Sequence, residues 1–286
     1  MIKSKRFDDI TIHLYEEQYR DALYAFKLSE RQRIYSSLPK EVLDDALNDP
    51  NREANVVLNK DGDVVGFFVL HQHYQHEGYD TPEEVVYIRS LSINEHFQGH
   101  GYGTKIMMNL PEYVQSVFPD FGHLFLVVDA ENEAAWNVYE RAGFMHTATK
   151  EEGPIGKERL YYLDLSSKYV SSLKLSRSDQ SDLGPVDIID LTLNDEKVGF
   201  LAIEQFQTRL IIRAVLVEDE HRESGIAQNA LRQLSTYVRQ KYDNIDVIEV
   251  MLFGSSNTLK PLFQKSNFVE AIVTENYTMF EKYINY

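Results

Sequence analysis

Gln98-Gly99-His100-Gly101-Tyr102-Gly103-Thr104, followed by Asp129-Ala130-Glu131-Asn132-Glu133-Ala134-Ala135-Trp136-Asn137-Val138-Tyr139-Glu140-Arg141-Ala142-Gly143-Phe144, decides how this chain folds. The first stretch leaves an aliphatic, strand-like run at 85–93. It enters a segment with apolar residues at three and four spacing: Ile106, Leu110, Tyr113 and Val114, the period of a helix. A turn into a helix start presents unpaired N–H groups at the positive end of the helix dipole, which receive anions. Glycines let such a turn close tightly and approach a ligand. The order G-x-G-x-G is neither the G-x-G-x-x-G of dinucleotide folds nor a P-loop, because Thr104-Lys105 stand in reversed order after Gly103. The second stretch ends at Gly143, the usual residue after a helix C-terminus. It sets Asn132, Ala135 and Tyr139 at i, i+3 and i+7, on one helical face.

Working outward, the pattern occurs twice. Leu91-Ser92-Ile93 and Gln98-x-x-Gly101-x-Gly103 return as Val215-Leu216-Val217 and Arg222-x-x-Gly225-x-Ala227, shifted by 124 residues, and Tyr139 with Phe144 returns as Phe263 with Phe268. Asp61-Gly62-Asp63-Val64-Val65-Gly66-Phe67 resembles Asn194-Asp195-Glu196-Lys197-Val198-Gly199-Phe200 at a shift of 133, the difference being a longer hairpin around 75–84. Three blocks kept in order mark a tandem duplication. In each copy, strands (55–59, 64–74 and 85–93; 187–193, 198–205 and 209–217) lead to the loop, a helix, a further strand, a second helix and two closing strands. This predicts an α/β (α+β) fold of two domains, 1–165 and 166–286, each a mixed, mostly antiparallel twisted sheet flanked by helices. Before its sheet, copy one carries some 50 residues of mostly helical pattern, including 16–27 and 39–48. Copy two has only the polar stretch 166–185.

Composition narrows the function. The chain is 43% hydrophobic with a net charge of −16, which argues against nucleic acid, whose binders need a basic face. Residues 1–165 hold 16 basic against 28 acidic residues, a field that attracts cations. The absence of cysteine removes disulfides and thiolate chemistry and fits a reducing cytoplasm. No stretch approaches the apolar length of a membrane span. The expectation is a soluble, cytoplasmic protein. His71-x-His73-x-x-His76 lacks the acidic or thiolate company of a metal site, so no metal is expected.

The two motifs together, in this order and spacing, resemble the GNAT superfamily of acyl-CoA N-acyltransferases, well over 10–165 and faintly over 186–284. The resemblance implies acetyl-CoA as co-substrate. Leu91, Ser92 and Ile93 would pair with pantetheine, and Gln98, Gly99, Gly101, Tyr102, Gly103 and Thr104 would hold the pyrophosphate. Asn132 and Ala135 would lie along the cofactor arm, with Tyr139 near the thioester sulfur as general acid. A primary amine of a small molecule or peptide would attack directly. The acidic front end (Glu16, Glu17, Asp21, Glu41, Asp44 and Asp45), where the family forms its acceptor pocket, suggests a cationic acceptor. Glu84, His71 and His73 stand as alternatives for the base. Arg89 occupies a strand position that is acidic in some members. The rival reading is a non-catalytic acyl-CoA-binding or interaction module.

In copy two, Asn132, Ala135, Tyr139 and Gly143 become Ser256, Leu259, Phe263 and Asn267. Pro261 fits a helix only near its first turn, and Glu218, Asp219, Glu220 and Glu223 surround the loop. Copy two is expected to be degenerate and structural, a pseudo-dimer partner within a monomer or small homo-oligomer.

Overall fold

The protein is described here by a computed structural model covering residues 2–79, 81–165, 170, 172–179 and 185–284. The chain divides into two compact units, Met1–Ser167 and Lys168–Tyr286. No helix among the described residues is long and apolar enough to cross a membrane.

The first unit contains strands β1 (Ser4–Arg6), β2 (Thr11–Leu14), β3 (Arg52–Leu58), β4 (Val64–Gln72), β5 (Val85–Ile93), β6 (His123–Asp129), β7 (Met145–Lys150) and β8 (Glu158–Asp164). Its helices are α1 (Arg20–Tyr24), α2 (Glu30–Tyr35), α3 (Pro39–Asn48), α4 (Tyr102–Val117) and α5 (Glu133–Arg141). The sheet order is β1-β2-β3-β4-β5-β6-β8-β7. Every pair is antiparallel except β5 with β6. β4 sits centrally and is buried over seven consecutive residues, as its unbroken Val-Val-Gly-Phe-Phe-Val-Leu run requires of a strand covered on both faces.

Strand alternation assigns each face its helices. On one face α4 meets Asn55, Gly66 and Phe68. Tyr113 packs edge-on to Phe68, 6.4 Å between ring centres, and its hydroxyl donates to Asn55 Oδ1 at 2.6 Å. A Cβ at Gly66 would stand 2.9 Å from Ile106 Cδ1, so glycine is what lets α4 seat. α4 also runs through Pro111. On the other face α1, the turn after it and α3 bury Leu23, Phe26, Leu43 and Ala46 against Ala54, Val56, Phe67 and Val69. The front end differs from the helical expectation in that β1 and β2 precede the helices. β2 pairs with β3 from Thr11↔Leu58 to Leu14↔Asn55. Alternating burial over four residues is too short a signal to read against the helical periods that follow.

The second unit contains β9 (Lys174–Arg177), β10 (Val186–Leu193), β11 (Glu196–Phe206), β12 (Arg209–Val217), α6 (Ile226–Lys241), β13 (Val247–Phe253), α7 (Lys260–Gln264), β14 (Val269–Val273) and β15 (Tyr277–Tyr283). Its sheet order is β14-β15-β13-β12-β11-β10-β9. Registers reproduce the sequence offsets. Gly66↔Ile93 becomes Gly199↔Val217, and Val85↔His123 becomes Arg209↔Val247. Much of the polar stretch 166–185 lies outside the described residues, and its described part supplies β9.

Asn55 is fully buried, so Tyr113→Phe leaves its Oδ1 without a donor. We expect a loss of about 1–3 kcal/mol in denaturant unfolding of the first unit with an unchanged slope. An unchanged midpoint would show that the bond contributes nothing.

Candidate active site

β5 and β6 pair through only three residues, Val85↔His123, Val86↔Leu124 and Tyr87↔Phe125. Beyond them the strands part. Ile88–Ile93 on one side and Leu126–Asp129 on the other line a cavity of about 800 Å³. β5 carries a bulge here: Ser90 has φ +56°, and the pairing with β4 shifts between Phe67↔Ser92 and Val69↔Arg89. Bulges bend a strand and increase its twist, which turns the outer half of β5 away from β6. From Ile88 on, its backbone has no strand on that side, leaving N–H and C=O groups for an extended ligand. Leu91, Ser92 and Ile93 all line the cavity. Ser36 Oγ donates to the Leu91 carbonyl at 3.2 Å, and the buried Ser92 Oγ has no hydrogen-bond partner among the described residues.

The glycine loop closes one end. Gly99 and Gly101 both have φ +77°, and α4 begins at Tyr102 with Gly101 as its left-handed cap. The amides of Tyr102, Gly103 and Thr104 are first-turn donors without a carbonyl above them. Gln98 lines the cavity too, and its side chain also braces the loop. Its side-chain amide donates to Ile93 O at 2.8 Å and to Gln32 Oε1 at 2.7 Å, and its own N–H bonds Glu95 O at 3.3 Å. It ties the loop to the end of β5 and to α2, and its donors are spent on that. α2 is in turn fixed by a Ser29–Gln32 capping box.

α5 lies on the same face as α4. Asn132 is its N-cap residue rather than part of the helix, and its side chain makes no capping bond. Asn132, Ala135 and Tyr139 all line the cavity. The Tyr139 ring packs against Phe144 and Tyr161, 6.3 and 6.2 Å between centres. Its hydroxyl has no partner among the described residues, and burial pushes the phenol pKa up to about 12. Trp136 is core packing: its Nε1 donates to Ala130 O at 3.2 Å.

On the opposite face the cavity is lined by Tyr74, His76, Tyr87, Arg89 and Asp129. Asp129 faces Glu158 directly across the β6–β8 pair, and its carboxyl is raised, first by burial and then by the like charge of Glu158. The three base alternatives read from sequence are not among the lining residues. Glu84 is exposed, and His73 Nδ1 lies 2.8 Å from Glu83 O. His71 is buried beside Arg89 and Asp49, and His76 Nδ1 meets Glu77 O at 3.2 Å, so the histidine run does not converge. Nor do the front-end acids line the cavity. Glu17 and Asp44 pair with Arg20, Glu41 with Arg33 and Glu16 with Lys3. Asp129 was in view only as the first residue of the second motif. What sequence could not supply is which strand faces it and that the cleft opens at that point.

In the second unit the same three-residue parallel pairing is kept, but its surroundings differ. Glu223 takes the place of Gly99 at φ +59°, a strained conformation for a side chain. Phe263, at the Tyr139 position, is 1% exposed. α7 is a five-residue helix with Pro261 in its first turn, preceded by a 3-10 segment, Gly254–Leu259.

A parted parallel strand pair and an amide-rich helix start form a cleft that fits an extended ligand with an anionic end. Comparison agrees: the family model described as "Acetyltransferase (GNAT) family" matches residues 12–144. The chain is 32% identical over 155 residues to the "Uncharacterized N-acetyltransferase YbbJ" of Bacillus subtilis, spanning 54% of this chain and 96% of that protein. It is 26% identical over 135 residues to a "Probable spermine N(1)-acetyltransferase" of Bacillus subtilis subsp. natto, 47% of this chain and 87% of that one. A spermidine N-acetyltransferase from Vibrio cholerae, solved with CoA and spermine, aligns at 17% identity with a TM-score of 0.44 over 55% of this chain and 96% of its own. The chain belongs to the GNAT family and is an acetyl-CoA-dependent N-acetyltransferase.

The His71 ring has its pKa lowered to about 4, by burial first and then by the charges of Arg52 and Arg89, with Asp49 opposing. An unfolded histidine takes its proton near 6.5. The stabilisation from burying it neutral is therefore complete above that value and is lost as pH falls toward 4. Comparing denaturant unfolding of wild type and His71→Phe between pH 7 and 4, we expect wild type to lose on the order of 2 kcal/mol more. Parallel losses would show that His71 is solvated.

Proposed function

We propose that the first unit moves the acetyl group of acetyl-CoA to a primary amine by direct attack, with Tyr139 as the general acid. The observation that carries this is Tyr139: a cavity-lining phenol without a protein hydrogen-bond partner among the described residues, protonated at neutral pH as a phenol is. Such a group can hand its proton to a leaving thiolate. Acetyl-CoA supplies the activated thioester. The amides of Gly99, Gly101, Tyr102, Gly103 and Thr104 seat the pyrophosphate, and the loop that carries them is held by Gln98. The open edge of β5 at Leu91, Ser92 and Ile93 pairs with the pantetheine arm, flanked by Asn132 and Ala135. The two left-handed glycines, the uncapped Asn132 amide and the orphaned Ser92 hydroxyl fit that occupant.

Asp129 is our assignment for the base that takes the ammonium proton before attack. It is the one carboxylate among the described cavity-lining residues, and a raised carboxyl is a better proton acceptor near neutrality than an ordinary one. The acidic field of residues 1–165 concentrates protonated amines, and the relative described as a "Probable spermine N(1)-acetyltransferase" supports an amine acceptor, either a small molecule or a peptide N-terminus. Catalysis belongs to the first unit alone, since Phe263 has no proton to give and Glu223 sets a carboxylate where an anion would sit.

Acetyl transfer to an amine panel tests this. Tyr139→Phe should lower kcat by at least about 100-fold with CoA affinity unchanged. Asp129→Asn should remove the acid limb of the pH–rate profile, because the base works only once deprotonated. Full kcat in Tyr139→Phe removes the phenol from the mechanism. CoA binding by wild type without turnover of any amine returns the acyl-CoA-binding reading.

A further inference from the structure

Arg89 is a cavity-lining cation that the acetyl-transfer chemistry does not use. Its guanidinium stacks over Tyr74, 5.1 Å from the ring centre, and its Nη1 lies 3.1 Å from His71 Nδ1. With its pKa lowered, His71 is neutral at pH 7, so Nδ1 accepts from Arg89 and Nε2 carries the proton toward Asp49, 3.8 Å away. Two fixed contacts hold the guanidinium, and neither neutralises it. Among the described residues no carboxylate pairs with Arg89. A partly buried arginine without an anionic partner is costly unless a ligand supplies one.

Its position says which ligand. Arg89 stands two residues past Tyr87, the last residue of β5 paired to β6. It is on the same sheet face as Asp129, opposite the face that carries α5 and Tyr139. The pyrophosphate loop lies beyond Ile93, four residues along the strand and so about 13 Å away. The group that meets Arg89 therefore belongs to the acceptor. The unit's net negative field disfavours a plain anion, whereas a molecule carrying both ammonium and carboxylate approaches without penalty. It can present its amine to Asp129 and its carboxylate to the Arg89 fork. Planar, two-pronged recognition of carboxylate is what a guanidinium does best.

Resting on the acetyl-transfer reading above, we infer that the acceptor is an amine bearing a carboxylate, an amino acid in the broad sense, and that Arg89 selects it, with His71 and Tyr74 as positioning residues. The test compares L-amino acids with their α-carboxamides, and phosphoethanolamine with ethanolamine, by kcat/KM with acetyl-CoA. In parallel, calorimetry measures binding of each probe to the CoA-saturated full chain. The expected result is at least one acid favoured over its amide by about 30-fold. That ratio collapses to near one in Arg89→Gln and is partly restored in Arg89→Lys. Ratios near one in wild type, in both turnover and binding, overturn the inference without needing any variant to fold. A preference confined to phosphoethanolamine overturns the carboxylate in favour of a phosphate. Binding of acid over amide that depends on Arg89, with turnover only of amines lacking a carboxylate, overturns the acceptor assignment and leaves the acetyl-transfer reading standing; no turnover of any amine at all sinks that reading instead.

Discussion

Parallel pairing that stops after three residues is the constraint on which this structure depends. Val85, Val86 and Tyr87 hold His123, Leu124 and Phe125, and the pairing then ends because the bulge at Ser90 rotates the outer half of β5. Had the ladder continued to Ile93, its backbone groups would be satisfied within the sheet and the cavity would not exist. The break converts unsatisfied strand edge into a seat for an extended chain. It also places the helix starts of α4 and α5 at one end of the opening and two oppositely charged side chains, Arg89 and Asp129, on the far face. On our proposal, binding, proton donation and acceptor choice are distributed over two faces of one sheet and meet only where the strands part.

The duplicated unit separates scaffold from chemistry. It retains the three-residue register at an offset of 124, the left-handed glycine cap at Gly225 and the bonded core beneath them. What it lacks are side chains: a phenol at 263, a glycine at 223, a serine at 216. Each is a change the core tolerates, since Phe263 stacks on Phe280 with 6.1 Å between ring centres and packs as well as a tyrosine would. Parting strands are therefore a property of the fold, inherited whether or not a ligand uses them, and the lining residues decide whether a site results.

Much of this was legible in the residues. The glycine spacing, the helical face of Ala135 and Tyr139 and the paired repeat blocks are local patterns, and local patterns survive in one dimension. Asn132 came out one position off, as a cap instead of a helical residue, because cap and first turn differ only in dihedral angles. β1 and β2 were hidden by their shortness. Gln98 was read as a phosphate ligand. Its bonds to Ile93 and Gln32 add a second task, bracing the loop against α2 from 66 residues away, which no local pattern announces. Asp129 and Arg89 were visible as residues but not as linings of one cavity, since strand order and the point of divergence are long-range facts. The acidic front end was visible too, but its ion pairs with Lys3, Arg20 and Arg33 and its place outside the cavity lining were not.

The most direct test is a crystal structure of the full chain with CoA. The account predicts the pantetheine arm between β5 and β6, the pyrophosphate on the amides of the loop ending at Thr104, and an empty cleft in the second unit. CoA seated on the loop at Arg222–Ala227, or bound in the first unit away from the parted strands, would contradict it.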